Sequence, residues 1–108
     1  MLSKDETLEK LRDLEALYRR GYGSDLISRS VDKIVALEKV AAEHELADLI
    51  ARLQSFEMRY QMPSDVFYQA FRSGVLGDEI DFVEWSAFFE MWQSAQERLK
   101  VLSVGQTE

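Results

Sequence analysis

Residues 24–62 read SDLISRSVDKIVALEKVAAEHELADLIARLQSFEMRYQM, 39 positions without a glycine or a proline. Nothing in this run breaks a helix, and its apolar positions keep helical time. Ile27, Val31, Ile34, Val35, Leu37 and Val40 begin one face. Leu46, Leu49, Leu53, Phe56 and Tyr60 continue it at alternating steps of three and four, the spacing of a helix–helix seam. About 37 helical residues at 1.5 Å each make a rod of roughly 55 Å. A compact chain of this length has a radius of gyration of only about 13 Å. The rod overruns what one small core can cover, so part of it is expected to pair with a second chain, in a homodimer.

Outward from the rod the punctuation is clear. Ser3-Lys4-Asp5-Glu6 is a Ser-x-x-Glu capping box that opens a first, short helix carrying Leu8, Leu11, Leu14 and Tyr18. Arg19 and Arg20 suit its negative end, Gly21 suits the position just past it, and Ser24 restarts the chain as an N-cap. On the far side, Met62-Pro63-Ser64-Asp65 stops the rod and caps a short connecting helix with Val66, Phe67, Ala70 and Phe71. Asp81-Phe82-Val83-Glu84 is a second capping box with aspartate in place of serine. The helix it opens has a seam of its own, Trp85, Phe88, Trp92, Ala95, Leu99 and Leu102. Two long helices with matching seams predict an all-α, elongated antiparallel helical hairpin. A single helical domain is expected over residues 1–102, with a frayed tail at 103–108.

Composition narrows the function classes. The chain has 108 residues, 46% of them hydrophobic and 31% charged, which fits one folded, helix-rich domain. It has no cysteine, so disulfides, thiolate metal sites and cysteine nucleophiles are excluded. The charged N-terminus lacks the apolar stretch of a signal peptide, and no run approaches the ~20 apolar residues of a membrane span. No membrane partner and a cytoplasmic address are expected. Net charge is −7 and is concentrated toward the C-terminus, which disfavours nucleic acid there and suits a basic partner.

The second informative stretch is Gly74–Trp92. It holds both tryptophans, three of the six phenylalanines, five acidic side chains and no basic one. Seven of the eleven residues from Phe82 to Trp92 are large and apolar, more of the circumference than one neighbouring helix buries. With Asp81 and Glu84 assigned to capping and Trp85, Phe88 and Trp92 to the seam, Asp78, Glu79, Phe82, Phe89 and Glu90 remain as the expected partner-binding residues.

Reaction chemistry finds little support, and no catalytic residue, metal or cofactor is assigned. An EF-hand loop starting at Asp78 needs glycine sixth and glutamate twelfth, where this chain has Val83 and Phe89. Glu6-x-x-Glu9 and Glu45-x-x-Asp48 resemble the paired carboxylates that hold magnesium in helical nucleotide hydrolases. Such pairs also arise by chance in a chain with twenty acidic residues. His44, between two glutamates, has no nucleophile pattern around it. Arg19, Arg20, Arg29 and Lys33 form a basic cluster that could meet DNA, but Asp25 and Asp32 interleave with it, so a solvated, ion-paired face is the expected reading.

Phe71 to Ala87, with Tyr18-Arg19-Arg20-Gly21-Tyr22 and Ser64-Asp65-x-Phe67-Tyr68, resembles a family of small helical bacterial and archaeal proteins. These carry a Phe-x-x-Gly-x-Leu-Gly-Asp-x-x-Asp-Phe-x-Glu-Trp-Ser-Ala signature after a long charged helix. The resemblance implies an antitoxin-like protein encoded beside a small toxin-like one, and it assigns no catalytic residues. The expected function is therefore non-enzymatic: binding and neutralising a basic, toxin-like partner, with a ribonuclease silenced by occlusion of its RNA-binding face. The alternatives are a homo-oligomeric coiled-coil scaffold and, third, a magnesium-dependent nucleotide hydrolase.

Overall fold

Four capped helices and no strand make up the described part of the chain, residues 3–103 of a computed structural model. Helix α1 spans Lys4–Arg19, α2 Asp25–Tyr60, α3 Ser64–Arg72 and α4 Ile80–Ser103. The all-α class is as expected. Ser103 closes α4, and the rest of the expected tail, 104–108, lies outside the described residues.

Helix boundaries follow local chemistry. The Ser3 hydroxyl accepts the Glu6 N–H at 3.2 Å, and the Ser24 hydroxyl accepts the Ile27 N–H at 3.2 Å. Three helices end in the same left-handed turn, in which an N–H reaches back five residues: Tyr22 to Leu17, Met62 to Glu57 and Val75 to Ala70. Gly21 and Gly74 occupy the left-handed position at φ 89° and 83°, where a side chain is disfavoured. The third such position is Gln61, at φ 52°. It stops α2 at Tyr60, just before Pro63.

Within the expected Met62–Asp65 stop, Pro63 sits at the N-cap of α3, with no side-chain cap of its own. The Glu57 carboxylate, from the end of α2, accepts the Ser64 N–H at 2.9 Å in its stead. α4 begins one residue earlier than its expected cap, with the Glu79 carbonyl accepting the Val83 N–H. Asp81 therefore lies inside the first turn and turns its carboxylate to α2.

Packing gathers the chain into two compact units, Met1–Ala36 and Leu37–Glu108. α2 contributes its first part to one and its remainder to the other. In the second unit α2 and α4 run antiparallel: Arg98 meets Glu45 at 2.7 Å, Phe88 meets Phe56 and Asp81 meets Arg59 at 2.8 Å. The core here is Leu53, Phe67, Trp85 and Phe89, surrounded by partly buried aromatics from α2, α3 and α4. Trp85 and Phe67 are fully buried and stack with centroids 3.8 Å apart and planes within 4°. Phe56 and Tyr60 stack on the same indole from α2, at 5.6 and 5.7 Å. The indole N–H donates to the Ser64 hydroxyl at 2.9 Å. Among the described residues no buried side-chain nitrogen or oxygen lacks a partner.

Candidate functional site

The outer side of α4 is built by the same periodicity that fills the core. A helix that buries Trp85 and Phe89 turns Ile80, Val83, Ala87 and Met91 the opposite way, at steps of three and four. All four are exposed, Ile80 at 77% and Met91 at 45%. Glu84 and Glu90 flank this aliphatic stripe, and Asp78 and Glu79 lead into it from the preceding turn, all of them exposed. The result is a narrow apolar strip with carboxylates along both margins and no basic side chain between Gly74 and Trp92.

The five expected partner-binding residues are split by the fold. Asp78 and Glu79 are at the surface. Glu90 is there too, its carboxylate accepting the Tyr68 hydroxyl at 2.7 Å. That bond, together with partial burial, raises the Tyr68 phenol above its ordinary value. Phe82 is half-buried, edge-on to Tyr60 at 5.3 Å and tilted against Phe67 at 5.6 Å. Phe89 is the correction: it is only 6% exposed, packed against Tyr68 at 4.7 Å and Trp92 at 5.4 Å. The excess apolar surface of α4 is covered by α3 of the same chain, the second neighbour that removes the need for a foreign one. Ile80, Val83 and Met91 take over as the exposed apolar candidates. Their signal was present as the third face of the helix, hidden by the larger aromatics beside it.

The residues assigned to the seam lie where α2 and α4 meet. Leu49, Leu53 and Trp85 are buried; Leu46, Phe56, Tyr60, Phe88 and Trp92 are half-buried. Arg52 lies over the Phe88 ring at 5.1 Å, which extends that contact to the rim. At the far end, Asp81 accepts from Tyr60 at 2.5 Å and from Arg59 at 2.8 Å. The Tyr60 hydroxyl first, and Arg59 second, hold the Asp81 carboxyl below the usual carboxylate range. The same contacts raise Tyr60 and Arg59 above their ordinary values.

Three of the four carboxylates in the two pairs have partners of their own. Glu6 accepts the Ser3 hydroxyl, Glu45 pairs with Arg98, and Asp48 pairs with Arg52 at 3.1 Å. Among the described residues no three histidine, aspartate or glutamate side chains converge on one point, and no helix is long and apolar enough to cross a membrane. In the basic cluster, Arg19 pairs with Glu15 one turn earlier on α1, at 3.2 Å.

The unit of Met1–Ala36 presents a different surface. α1 has no buried residue. Between it and the start of α2 runs an open groove of about 500 Å³ lined by Leu11, Leu14, Tyr18, Ile27, Val31 and Val35, with Glu15, Ser28 and Asp32 at its edges.

Fold and surfaces define a class: a cysteine-free acidic protein, four-helical over its described residues, with exposed apolar helix faces. Comparison with known proteins finds no matching family model, no matching curated protein and no matching solved structure.

Proposed function

We propose that this chain is a non-enzymatic interaction protein of the cytoplasm, the antitoxin-like half of a two-protein system, and that it binds a basic, toxin-like partner. The observation that carries the reading is the outer face of α4. There Ile80, Val83, Ala87 and Met91 form an exposed aliphatic strip bordered by Asp78, Glu79, Glu84 and Glu90. Such a strip fits a partner segment with aliphatic side chains flanked by lysine or arginine. The carboxylates would speed encounter and select a basic partner, and the strip would hold the complex. Occlusion of an RNA-binding surface is the simplest way for this contact to silence a ribonuclease, since such a surface is itself basic.

The test is affinity capture of the tagged chain from its own cells. Recovery of a basic protein encoded by the adjacent gene, lost on Asp78→Lys with Glu79→Lys, supports the reading. Recovery of the chain alone, with no binding to that gene's product, contradicts it. A second reading, a homo-oligomeric scaffold, is favoured by the open apolar groove of the first unit.

A further inference from the structure

One flank of α2 stays open beside the core of the second unit. Ile50, Gln54, Glu57, Met58 and Gln61 recur along it at helical spacing. Two hollows lie against this flank and meet at Gln54 and Glu57. The smaller, about 340 Å³, has an apolar floor of Ile50, Leu53, Phe89 and Trp92. The larger, about 540 Å³, is bordered by Met58, which is 75% exposed, and by Met62 and Pro63. Apolar walls with a few convergent polar groups, at volumes of this order, are the form of a binding site.

Charge identifies what the smaller hollow takes. Its polar side chains are Gln54, Glu57, Ser64 and Asp65, and no basic side chain lines it. The Ser64 hydroxyl is committed to the Trp85 indole. Glu57 accepts the Ser64 N–H at 2.9 Å, a neutral donor that leaves the carboxylate charge uncompensated. Asp65 is exposed and has no ion pair or side-chain hydrogen bond among the described residues. The two arginines of this stretch of α2 are engaged on its other flank, Arg52 with Asp48 and the Phe88 ring, Arg59 with Asp81. Two uncompensated carboxylates beside aromatic surface fit a cation with an apolar stem. Arginine suits them best, because its planar guanidinium lies against aromatic rings, forks to carboxylates and is weakly hydrated. The adjoining hollow favours a chain segment over a free small cation, since it offers apolar surface to a neighbouring residue. From Ile50 to Gln61 the flank runs about 16 Å at 1.5 Å per residue. An extended peptide at about 3.3 Å per residue crosses it in about five residues.

We infer that this flank of α2 binds an extended segment of a basic protein. An arginine side chain occupies the smaller hollow, against Trp92 and the Glu57 and Asp65 carboxylates, and an apolar neighbour occupies the larger. The assignment uses no residue of the α4 strip and does not rest on it.

Nitrogen–proton NMR of the full chain tests it, with a blocked pentapeptide that has arginine at its centre and leucine on both sides. The expected Kd is about 1 mM or tighter. Shifts should concentrate at the Trp92 indole and the Ser64 and Asp65 amides, and leave the Ile80 and Val83 amides unmoved. The same peptide with citrulline, which keeps the shape and lacks the charge, should bind about tenfold more weakly, the scale of two ion pairs. Glu57→Gln with Asp65→Asn should give a similar loss for the arginine peptide. Glutamine keeps an oxygen for the Ser64 N–H and Asp65 is exposed, so this variant should fold, and the citrulline peptide needs no variant at all. Ile80→Ser with Met91→Ser should bind the peptide like the wild type, which separates this site from the α4 strip. An unmoved Trp92 indole at about 10 mM peptide, equal binding of the citrulline peptide, or shifts at Ile80 and Val83 in place of Trp92 would each overturn the inference.

Discussion

Replacing Ser64 by alanine removes one oxygen, and the structure makes that oxygen the acceptor for a buried indole. Trp85 is fully buried and Ser64 nearly so, and Nε1–H donates to Oγ at 2.9 Å. Indole has a single donor and no other acceptor is assigned to it. The substitution strands this N–H beneath Phe67, where water does not reach. An unsatisfied buried donor costs about 1–3 kcal/mol, more than the net value of an average hydrogen bond. The small void adds little, since alanine keeps the backbone N–H that binds Glu57. The expected loss is therefore about 2 kcal/mol. Urea unfolding followed by tryptophan fluorescence and by helicity at 222 nm measures it, with coincident transitions as the check on two-state behaviour. Trp85→Phe removes the donor, so adding Ser64→Ala to that background should cost much less than in the wild type. A loss below about 0.5 kcal/mol in the wild type, the range of an ordinary surface change, would refute the claim that α3 is locked to α4 through this bond.

Gln61→Gly should stabilise the chain by about 1 kcal/mol, because glycine accepts the left-handed φ of 52° that glutamine resists. The exposed bond from Gln61 Nε2 to the Met58 carbonyl is lost in exchange, and a rise in the urea midpoint measures the balance. Asp81→Asn should change the acid limb of stability. Because Tyr60 and Arg59 depress the Asp81 pKa in the fold, its contribution is full above the unfolded carboxylate value and is lost as pH falls through the folded one. The wild-type advantage over the asparagine variant should thus be largest near neutrality and shrink in acid. A difference that is flat with pH contradicts the assignment.

Local rules placed most helix ends and missed those set at long range. Gly21 and Ser24 announce their turn by chemistry contained within a few residues. Ser64 and Asp81 look like caps by the same rules, yet one hydroxyl accepts from Trp85 and the other carboxylate from Tyr60 and Arg59, partners 21 or 22 residues away. Glu57 capping α3 from the preceding helix is likewise invisible to a short window. The seam of Leu49, Leu53 and Trp85 was legible because periodicity alone selects it. Phe89 was not: seven large apolar residues in eleven indicate more than one neighbour, but not that α3 of the same chain is the second. Once the aromatics turn inward, the surface passes to Ile80, Val83 and Met91, whose modest size hid them beside phenylalanine and tryptophan.

Titration calorimetry of the adjacent gene's product against the chain tests the central claim most directly, with Ile80→Ser plus Met91→Ser and Asp78→Lys plus Glu79→Lys beside the wild type. The serine changes lie at exposed positions and should leave stability within about 0.5 kcal/mol; the lysine pair reverses charge at the start of α4 and should cost about 1 kcal/mol, too little to unfold the chain. The account predicts wild-type binding, a loss of at least about tenfold, or 1.4 kcal/mol, for the serine pair, and weaker, less salt-sensitive binding for the lysine pair. Binding that ignores both pairs, or no binding by the wild type, contradicts it.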